Sequence, residues 1–349
     1  MKKLIKIWSF IIIAVMLFSL LPLTSCESGT TITVFNWGDY IDEDILKTFK
    51  EETGIQVNYS TYARNEDMYE KVKRNPSSYD IVVPSDFMAS KMITEGMAEK
   101  LDFSNIPNFS NIDNQFIGLS YDPTSEYTVP YMWGTMGILY NTTMVDEVVD
   151  SWDILWDEKY SKQIFMYESM RDIMSGVQKK LGFSVNDTNM DNLNAVKTAL
   201  FEQKPLVQAY MDENIKDKMI GNEGALAMLF SGDAMYCINE NDELDYIVPK
   251  EGSIVWSDVI LIPKGSKNKT EAEMFIDFLC RPDIALANTE YIGYSTPNAE
   301  TYKLLPEDLQ NNIIYWPTEE ILSRCDVLLD LGEFTKEYNK AWTEILAAR

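Results

Sequence analysis

The sequence predicts an α/β protein of two lobes that share two crossing strands. Strand and helix patterns alternate through the first hundred residues, which is typical of a largely parallel, doubly wound sheet. About 320 residues follow an N-terminal leader, which is more than one hydrophobic core usually organises. Two long extended segments, residues 127–141 and 253–263, are placed to run between the lobes. Ligands of such folds bind in a crevice beyond the carboxyl ends of the strands.

The alternation begins with a strand over residues 31–37 and an amphipathic helix directly after it. Ile45, Leu46 and Phe49 form the apolar stripe of this helix, and Gly54 is its stop signal. Further strands are predicted over 55–62, 79–85, 127–141, 245–249 and 253–263. Further helices are predicted over 66–74, 88–95, 151–156, 171–181, 190–203, 222–232 and 270–280.

The first 25 residues have the pattern of a bacterial secretion signal. Three lysines precede the apolar run Ile7 to Leu21, which is too short to cross a bilayer. The following LTSC resembles a lipobox, in which the cysteine, here Cys26, receives the lipid. We expect residues 1–25 to be removed and residues 26–30 to form a lipidated tether outside the cytoplasm, with the anchor as the only membrane contact.

The charge excludes several classes of partner. The whole chain carries a net charge of −25, and removal of the leader takes away three of 30 basic residues and no acid, which gives −28. Nucleic acids and anionic lipid headgroups are therefore not expected to bind. Most of the acids serve solubility, so only carboxylates placed beside aromatic rings are candidates for a ligand.

The residue types present also limit the chemistry. The chain has no histidine, which removes histidine-based nucleophile systems and most zinc sites. Cys237, Cys280 and Cys325 are widely spaced and are expected to be buried thiols. No metal and no cofactor are predicted. Any enzyme here would depend on carboxylates, lysine or tyrosine.

Two copies of a Trp-x-Asp arrangement indicate a cationic ligand. Trp37 and Asp39 lie at the end of the first strand, and Trp256 and Asp258 lie in the last long one. In an extended chain the two side chains of each pair point the same way. Both pairs have structural alternatives, because tryptophans commonly pack in cores and Asp39 could cap the next helix.

Six segments, taken together and in order, resemble the spermidine/putrescine-binding proteins of ATP-binding-cassette importers. They are FNWGDYI (35–41), YDIVVPS (79–85), VPYMWGT (129–135), PKEGSIVWSDVILIPKGSKNK (249–269), AEMFIDFLCRPDIA (272–285) and IGYSTPN (292–298). The resemblance implies a type II periplasmic-binding-protein-like fold in which each lobe is a mixed sheet flanked by helices. Lobe 1 would comprise residues 31–134 and 257–302, and lobe 2 residues 135–256 and 303–349.

The resemblance also implies a set of ligand contacts. Trp37, Tyr40, Trp256 and Tyr294 would enclose the methylene chain of a polyamine, Asp39, Asp172 and Asp258 would pair with its ammonium groups, and Ser85 would add a hydrogen bond. Phe87 and Phe230 stand at wall positions where other members carry tyrosine and tryptophan. Ser169 stands where an acid is usual, with Glu168 and Asp86 as alternative acids. Ser169 could instead be a helix N-cap, and Asp172 a first-turn acid favoured by the helix dipole.

These features predict a monomeric, non-enzymatic polyamine receptor that delivers its ligand to a permease driven by a cytosolic ATPase. Two other interpretations remain open. A receptor of the same architecture for a sugar would also present stacked rings and acids, and a secreted glycosidase would use paired carboxylates. A sensory role, in which bound polyamine is presented to a membrane partner, is also compatible with the sequence.

Overall fold

A computed structural model describes residues 29–348, and these contain one continuous mixed sheet. Its strands are β1 (Thr31–Trp37), β2 (Gln56–Tyr62), β3 (Ile81–Val82), β4 (Thr128–Asn141), β5 (Ile164–Tyr167), β6 (Val207–Met211), β7 (Leu226–Phe230), β8 (Leu244–Ile247) and β9 (Val255–Leu261). The order is β2-β1-β3-β9-β4-β7-β5-β6, and β8 pairs with β4. Strand β1 is parallel to β2 and β3, whereas β9 and β4 run antiparallel to their neighbours.

Helices cover both parts of this sheet. They are α1 (Glu43–Thr53), α2 (Asn65–Arg74), α3 (Asp86–Thr94), α4 (Met170–Lys180), α5 (Met190–Gln203), α6 (Ile215–Ile220), α7 (Ser231–Glu240), α8 (Lys269–Leu279), α9 (Pro282–Ile292), α10 (Ala299–Tyr302), α11 (Glu307–Gln310), α12 (Glu319–Leu322) and α13 (Thr335–Ala347). Helix α1 ends as predicted at Gly54, whose φ of 75° is the left-handed conformation that glycine adopts without strain.

Hydrophobic side chains form two groups of clusters along the sheet. The first core surrounds β1, β3 and β9 and contains Ile32, Val34, Phe49 and Phe275. The second core surrounds β5, β7 and the last third of β4 and contains Ile138, Trp152, Ile164, Met228 and Tyr338. Each core excludes water from its own set of apolar side chains, which is the main source of stability.

Strand β4 connects the two cores. Trp133 on this strand belongs to the first core, and Met136, three residues later, belongs to the second. Strand β9 pairs with β4 from Thr128 to Thr135 and so accompanies it across the boundary. The predicted crossing strands therefore exist and are hydrogen bonded to each other.

One predicted element is wrong. Residues 222–232 were expected to be helical, but Leu226–Phe230 forms the strand β7, and the helix begins only at Ser231. Leu, Ala and Met favour helices in isolation, but β7 lies between β4 and β5, where its first four residues are buried. Burial in a central strand has overridden local propensity. Strand β3 is also shorter than predicted, with only two paired residues.

The leader and Cys26 lie outside the described residues. Within residues 29–348, no helix combines the length and apolarity needed to span a bilayer. The three cysteines of this part are unpaired, with Cys237 and Cys280 buried as expected and Cys325 half-buried.

Candidate ligand-binding cleft

The carboxylate of Asp258 is the centre of the candidate site. Strand alternation puts Trp256 and Asp258 on the same face of β9, and each is only 7% exposed. The hydroxyl of Tyr40 donates to Asp258 Oδ2 at 2.7 Å, and the hydroxyl of Ser85 donates to Oδ1 at 2.7 Å. Among residues 29–348, no lysine or arginine nitrogen lies within 4 Å of this carboxylate. Burial raises the pKa of Asp258 to about 6 although both hydroxyl donors lower it.

A β-bulge helps to place Tyr40. The pairing of β4 with β9 shifts between Pro130 and Met132, which leaves Tyr131 as the extra residue next to the partner of Asp258. The Tyr131 hydroxyl donates to the carbonyl of Tyr40 at 2.6 Å, and Asn36 donates to the same carbonyl at 3.1 Å. Two donors therefore fix the backbone from which the Tyr40 side chain reaches Asp258.

Ser85 occupies the N-cap position of α3, but its hydroxyl makes no capping bond. The Ser85 hydroxyl instead donates a hydrogen bond to Asp258 and accepts one from Asn65 Nδ2 at 3.1 Å. Asn65 Oδ1 also accepts from the backbone N–H of Ser85 at 3.2 Å. Asn65 is thus a supporting residue that the sequence did not reveal, because a polar residue at the start of a helix is so often only a cap.

The second acid of the site repeats this arrangement on the other core. Ser169 stands at the N-cap of α4, again without a capping bond, and its hydroxyl donates to Asp172 Oδ2. The predicted N-cap position of Ser169 is confirmed, while its hydroxyl serves the carboxylate. Loss of hydration raises the pKa of Asp172 to about 6, against the lowering effects of Ser169 and of the charge on Arg171. The negative charge of Asp172 in turn raises the pKa of Asp258.

Aromatic rings form a continuous series between the two cores. The centroid distances are 5.0 Å for Tyr167 to Phe230, 5.6 Å for Phe230 to Trp256, 5.2 Å for Trp256 to Tyr294 and 5.8 Å for Tyr294 to Tyr40, all with edge-to-face geometry. Ring faces attract cations and pack against methylene groups. This series supplies an apolar wall beside the Asp258 carboxylate.

Phe87 and Phe230 each pack against both cores. Phe87 contacts the clusters around β3 and β5, and the Arg171 guanidinium lies 5.8 Å from the centroid of its ring. Phe230 contacts the second core and the cluster around β1. Rings at these two positions therefore lie between the two cores, and their contact with a ligand stays a prediction.

The first Trp-x-Asp pair differs from the second. Strand β1 ends at Trp37, and Asp39 has a φ of 49° in the turn that follows, so the predicted extended arrangement of Trp37 and Asp39 is wrong. Asp39 is exposed, and the cap of α1 is Asp42, whose side chain accepts from the N–H of Asp44. The indole N–H of Trp37 donates to the Val83 carbonyl at 2.9 Å. A turn residue ends the alternation on which the prediction depended.

Trp37 is half-buried beside the same cluster that contains Trp256. Its ring lies 4.6 Å from that of Tyr62 and is not part of the series from Tyr167 to Tyr40. Contact of Trp37 and Asp39 with a ligand stays a prediction. Tyr167 and Tyr62 are rings that sequence reasoning missed. Tyr167 ends the four-residue strand β5, which was not predicted, and Tyr62 ends the predicted strand β2, where an aromatic residue is ordinary.

The composition of the site matches organic cations better than metals. Within the described part of the chain, no group of three or more Cys, Asp or Glu side chains is arranged to hold a metal ion. Two hydroxyl-bonded carboxylates and a series of rings can instead accept ammonium N–H donors and cover a hydrocarbon chain.

Comparison with known proteins gives the family. A model of the bacterial extracellular solute-binding proteins matches residues 44–315, so this chain belongs to that family. The spermidine/putrescine-binding periplasmic protein of Escherichia coli is 35% identical over 325 residues, with 93% of each chain covered. A putrescine-binding periplasmic protein of the same species is 27% identical over 370 residues, and both chains are covered completely.

Solved structures agree. A spermidine/putrescine ABC transporter substrate-binding protein from Streptococcus pneumoniae has a TM-score of 0.80 and 38% identity, over 91% of this chain and 98% of the other. A lipoprotein of Treponema pallidum has a TM-score of 0.81 and 28% identity, over 90% and 99%. The family and the two-lobed solute-receptor fold predicted from the sequence are confirmed.

Proposed function

We propose that this protein is an extracytoplasmic receptor for a polyamine such as putrescine or spermidine, which it delivers to an ABC importer. The observation that carries the proposal is the Asp258 carboxylate, which is buried, hydrogen bonded by two hydroxyls and without a cationic partner among residues 29–348. A buried charge of this kind costs several kcal/mol unless a counter-ion meets it. An ammonium group entering the cleft would supply that counter-ion.

Asp172 gives a second attachment point. It extends from α4 on the second core, whereas Asp258 belongs to a strand beside the first core. A polyamine is a flexible apolar chain with a charge at each end, and two carboxylates joined by aromatic walls match this shape. Each good contact between an ammonium group and a ring contributes roughly 0.5 to 2 kcal/mol.

Ligand binding would close the lobes. In the proposed division, lobe 1 comprises residues 31–134 and 257–302, and lobe 2 comprises residues 135–256 and 303–349. Trp316 and Leu322 of lobe 2 pack against the first core, so the two lobes are in contact. A cation bound by Asp258 and Asp172 together stabilises the closed state, because neither acid alone provides both contacts.

The partners follow from the relatives. Those named above are periplasmic binding proteins or parts of ABC transporters, and one is a lipoprotein. We therefore infer a monomer anchored through Cys26, which contacts a permease and its ATPase and performs no reaction of its own. A role in presenting bound polyamine to a sensory partner is compatible with the same cleft.

Calorimetric titration of residues 27–349 with putrescine and spermidine tests the proposal. We expect saturable binding, no binding of neutral sugars and no sugar hydrolysis. Asp258→Asn should weaken diamine binding tenfold or more, about 1.4 kcal/mol. Asp245→Asn is the matched control, because Asp245 is exposed and accepts a hydrogen bond from the Tyr140 hydroxyl at 2.9 Å outside the cleft.

Equal affinities of the wild type and Asp258→Asn would contradict the placement of the charge contact. Binding of a neutral sugar without any amine response would replace the polyamine with a sugar as the ligand. Sugar turnover that is lost on changing one carboxylate would favour the glycosidase.

A further inference from the structure

A second, partly open cavity lies beside the cleft, and the two share Trp256 of β9. Its volume is about 150 Å³. Val255 and Ser257, which alternate with Asp258 along the strand, line it together with Trp256, while Asp258 does not. The cavity is therefore separate from the hydroxyl-bonded carboxylate of the candidate cleft.

The cavity contains an acid without a cationic partner. Asp86 is 1% exposed, and its two oxygens accept only backbone donors, from Phe87 at 2.7 Å and from Ser257 at 3.3 Å. No lysine or arginine nitrogen of residues 29–348 comes within 4 Å of it. The acids that face Asp86 are Asp258 and Asp172, and each adds to the cost of ionising it.

Two further hydroxyls in the cavity wall have no hydrogen-bond partner in the described part of the chain. They belong to Tyr121 and Ser257, and both residues are more than nine-tenths buried. An unpaired buried polar group costs about 1–3 kcal/mol. Two such groups around one space indicate that a polar guest occupies it.

We propose that this cavity binds a short primary alkylammonium ion. An ammonium group has three N–H donors, and the Asp86 carboxylate with the Tyr121 and Ser257 hydroxyls offers acceptors for all three. The rings of Phe116 and Trp133 on the same wall suit the alkyl chain. A cavity of roughly 150 Å³ accommodates a benzene molecule in another protein, so a three- or four-carbon amine fits this one.

The cavity also touches segments that lie near the boundary between the cores. Trp133 belongs to β4, Val255 and Ser257 belong to β9, and Val327 follows Asp326, which forms a bridge with Ile254. A guest in this position contacts these segments together and would favour one angle between the lobes. The proposal of this second site depends on the residues that line the cavity and not on which ligand the cleft binds.

Titration with n-propylammonium chloride tests the proposal in residues 27–349 carrying Asp258→Asn, which disables the cleft. We expect one equivalent to bind. Adding Asp86→Asn should weaken that binding at least tenfold, because the amide keeps the shape but loses the charge. Adding Tyr121→Phe, which removes one acceptor and leaves the carboxylate, should weaken it three- to tenfold. Adding Asp245→Asn, at an exposed position of β8, should leave the affinity for propylammonium unchanged.

Binding that is unaffected by Asp86→Asn would place the amine elsewhere and overturn the proposal. The absence of any binding heat at tens of millimolar propylammonium would also overturn it and leave the cavity to water, of which it holds about five molecules. The putrescine titration of the wild type measures binding to the cleft separately. A negative result for the cavity can therefore be distinguished from a negative result for the cleft.

Discussion

The hydroxyl of Tyr40 lies 2.7 Å from Asp258 Oδ2, although 218 positions separate the two residues in the chain. We expect Tyr40→Phe to weaken putrescine binding five- to tenfold, about 1 to 1.4 kcal/mol. The phenyl ring keeps the edge-to-face contact with Tyr294, but the carboxylate loses one of its two hydroxyl donors and becomes harder to ionise. Calorimetric titration measures the change.

Tyr140→Phe provides the control for this variant. Tyr140 donates to the exposed Asp245 at 2.9 Å, so the same chemical change is made outside the cleft. We expect its putrescine affinity to equal that of the wild type. Equal losses in the two variants would show that the Tyr40 hydroxyl has no special role.

Asp172→Asn should distinguish amines by their number of charges. A diamine loses one of its two carboxylate contacts and should bind at least tenfold more weakly, whereas a monoamine held by Asp258 alone should change less than threefold. Titrations with putrescine and n-butylamine, which have the same carbon chain, give the comparison in a background that carries Asp86→Asn, so that the second cavity does not contribute. A parallel loss for both amines would mean that Asp172 supports the fold of the cleft and does not bind the second ammonium group.

Binding should weaken at acidic pH. Asp258 and Asp172 have pKa values raised to about 6, so a falling pH neutralises them before it neutralises ordinary carboxylates. We expect the putrescine affinity to fall by up to tenfold per proton for each pH unit below about 6. Because the amine binds the ionised acids, proton release should accompany binding near pH 6. A flat affinity between pH 7 and 5 would contradict this prediction.

The stability of the ligand-free protein should change in the opposite direction. Each folded pKa lies above the unfolded value near 4, so the folded state holds more protons between about pH 4 and 6 and its stability declines as the pH rises through that window. Asp258 alone would account for roughly 2 to 3 kcal/mol. Urea unfolding at several pH values should show this decline, and Asp258→Asn should reduce it.

The Tyr294 ring lies directly on Gly232 at the start of α7, where a Cβ would stand 1.7 Å from Tyr294 Cδ1. Gly232→Ala should therefore hold the two cores apart and weaken putrescine binding tenfold or more without removing a ligand contact. Small-angle scattering should show that the radius of gyration no longer decreases on adding putrescine. At Gly38 an added methyl group meets no atom within 4 Å. The lobes of the Gly38→Ala variant should therefore still close when putrescine is added.

Local sequence patterns predicted most of the elements because their signals are short-range. The stripe of α1 and its stop at Gly54 are present as expected, β1 and β4 lie within one residue of their predicted bounds, and β9 is two residues shorter at each end than predicted. Strands β5 and β6 and helices α6, α9 and α13 were not predicted, and β7 was predicted as helix because its residues favour a helix when considered alone. Its conformation depends on the neighbouring strands β4 and β5, which no local window contains.

For the site, the Trp256 and Asp258 spacing on one strand was enough to place both side chains on the same face. The same spacing did not place Trp37 and Asp39 on one face, because the strand ends at Trp37 and the turn rotates Asp39 away. The sequence by itself therefore determined the residue types and family blocks that indicate a solute receptor. Only the tertiary structure decided which hydroxyls reach Asp258 and Asp172, that Asn65 supports Ser85, and that Asp86 closes a second cavity. Those contacts join segments far apart in the chain, and their distances depend on how the whole sheet twists and packs, which no spacing in the sequence encodes.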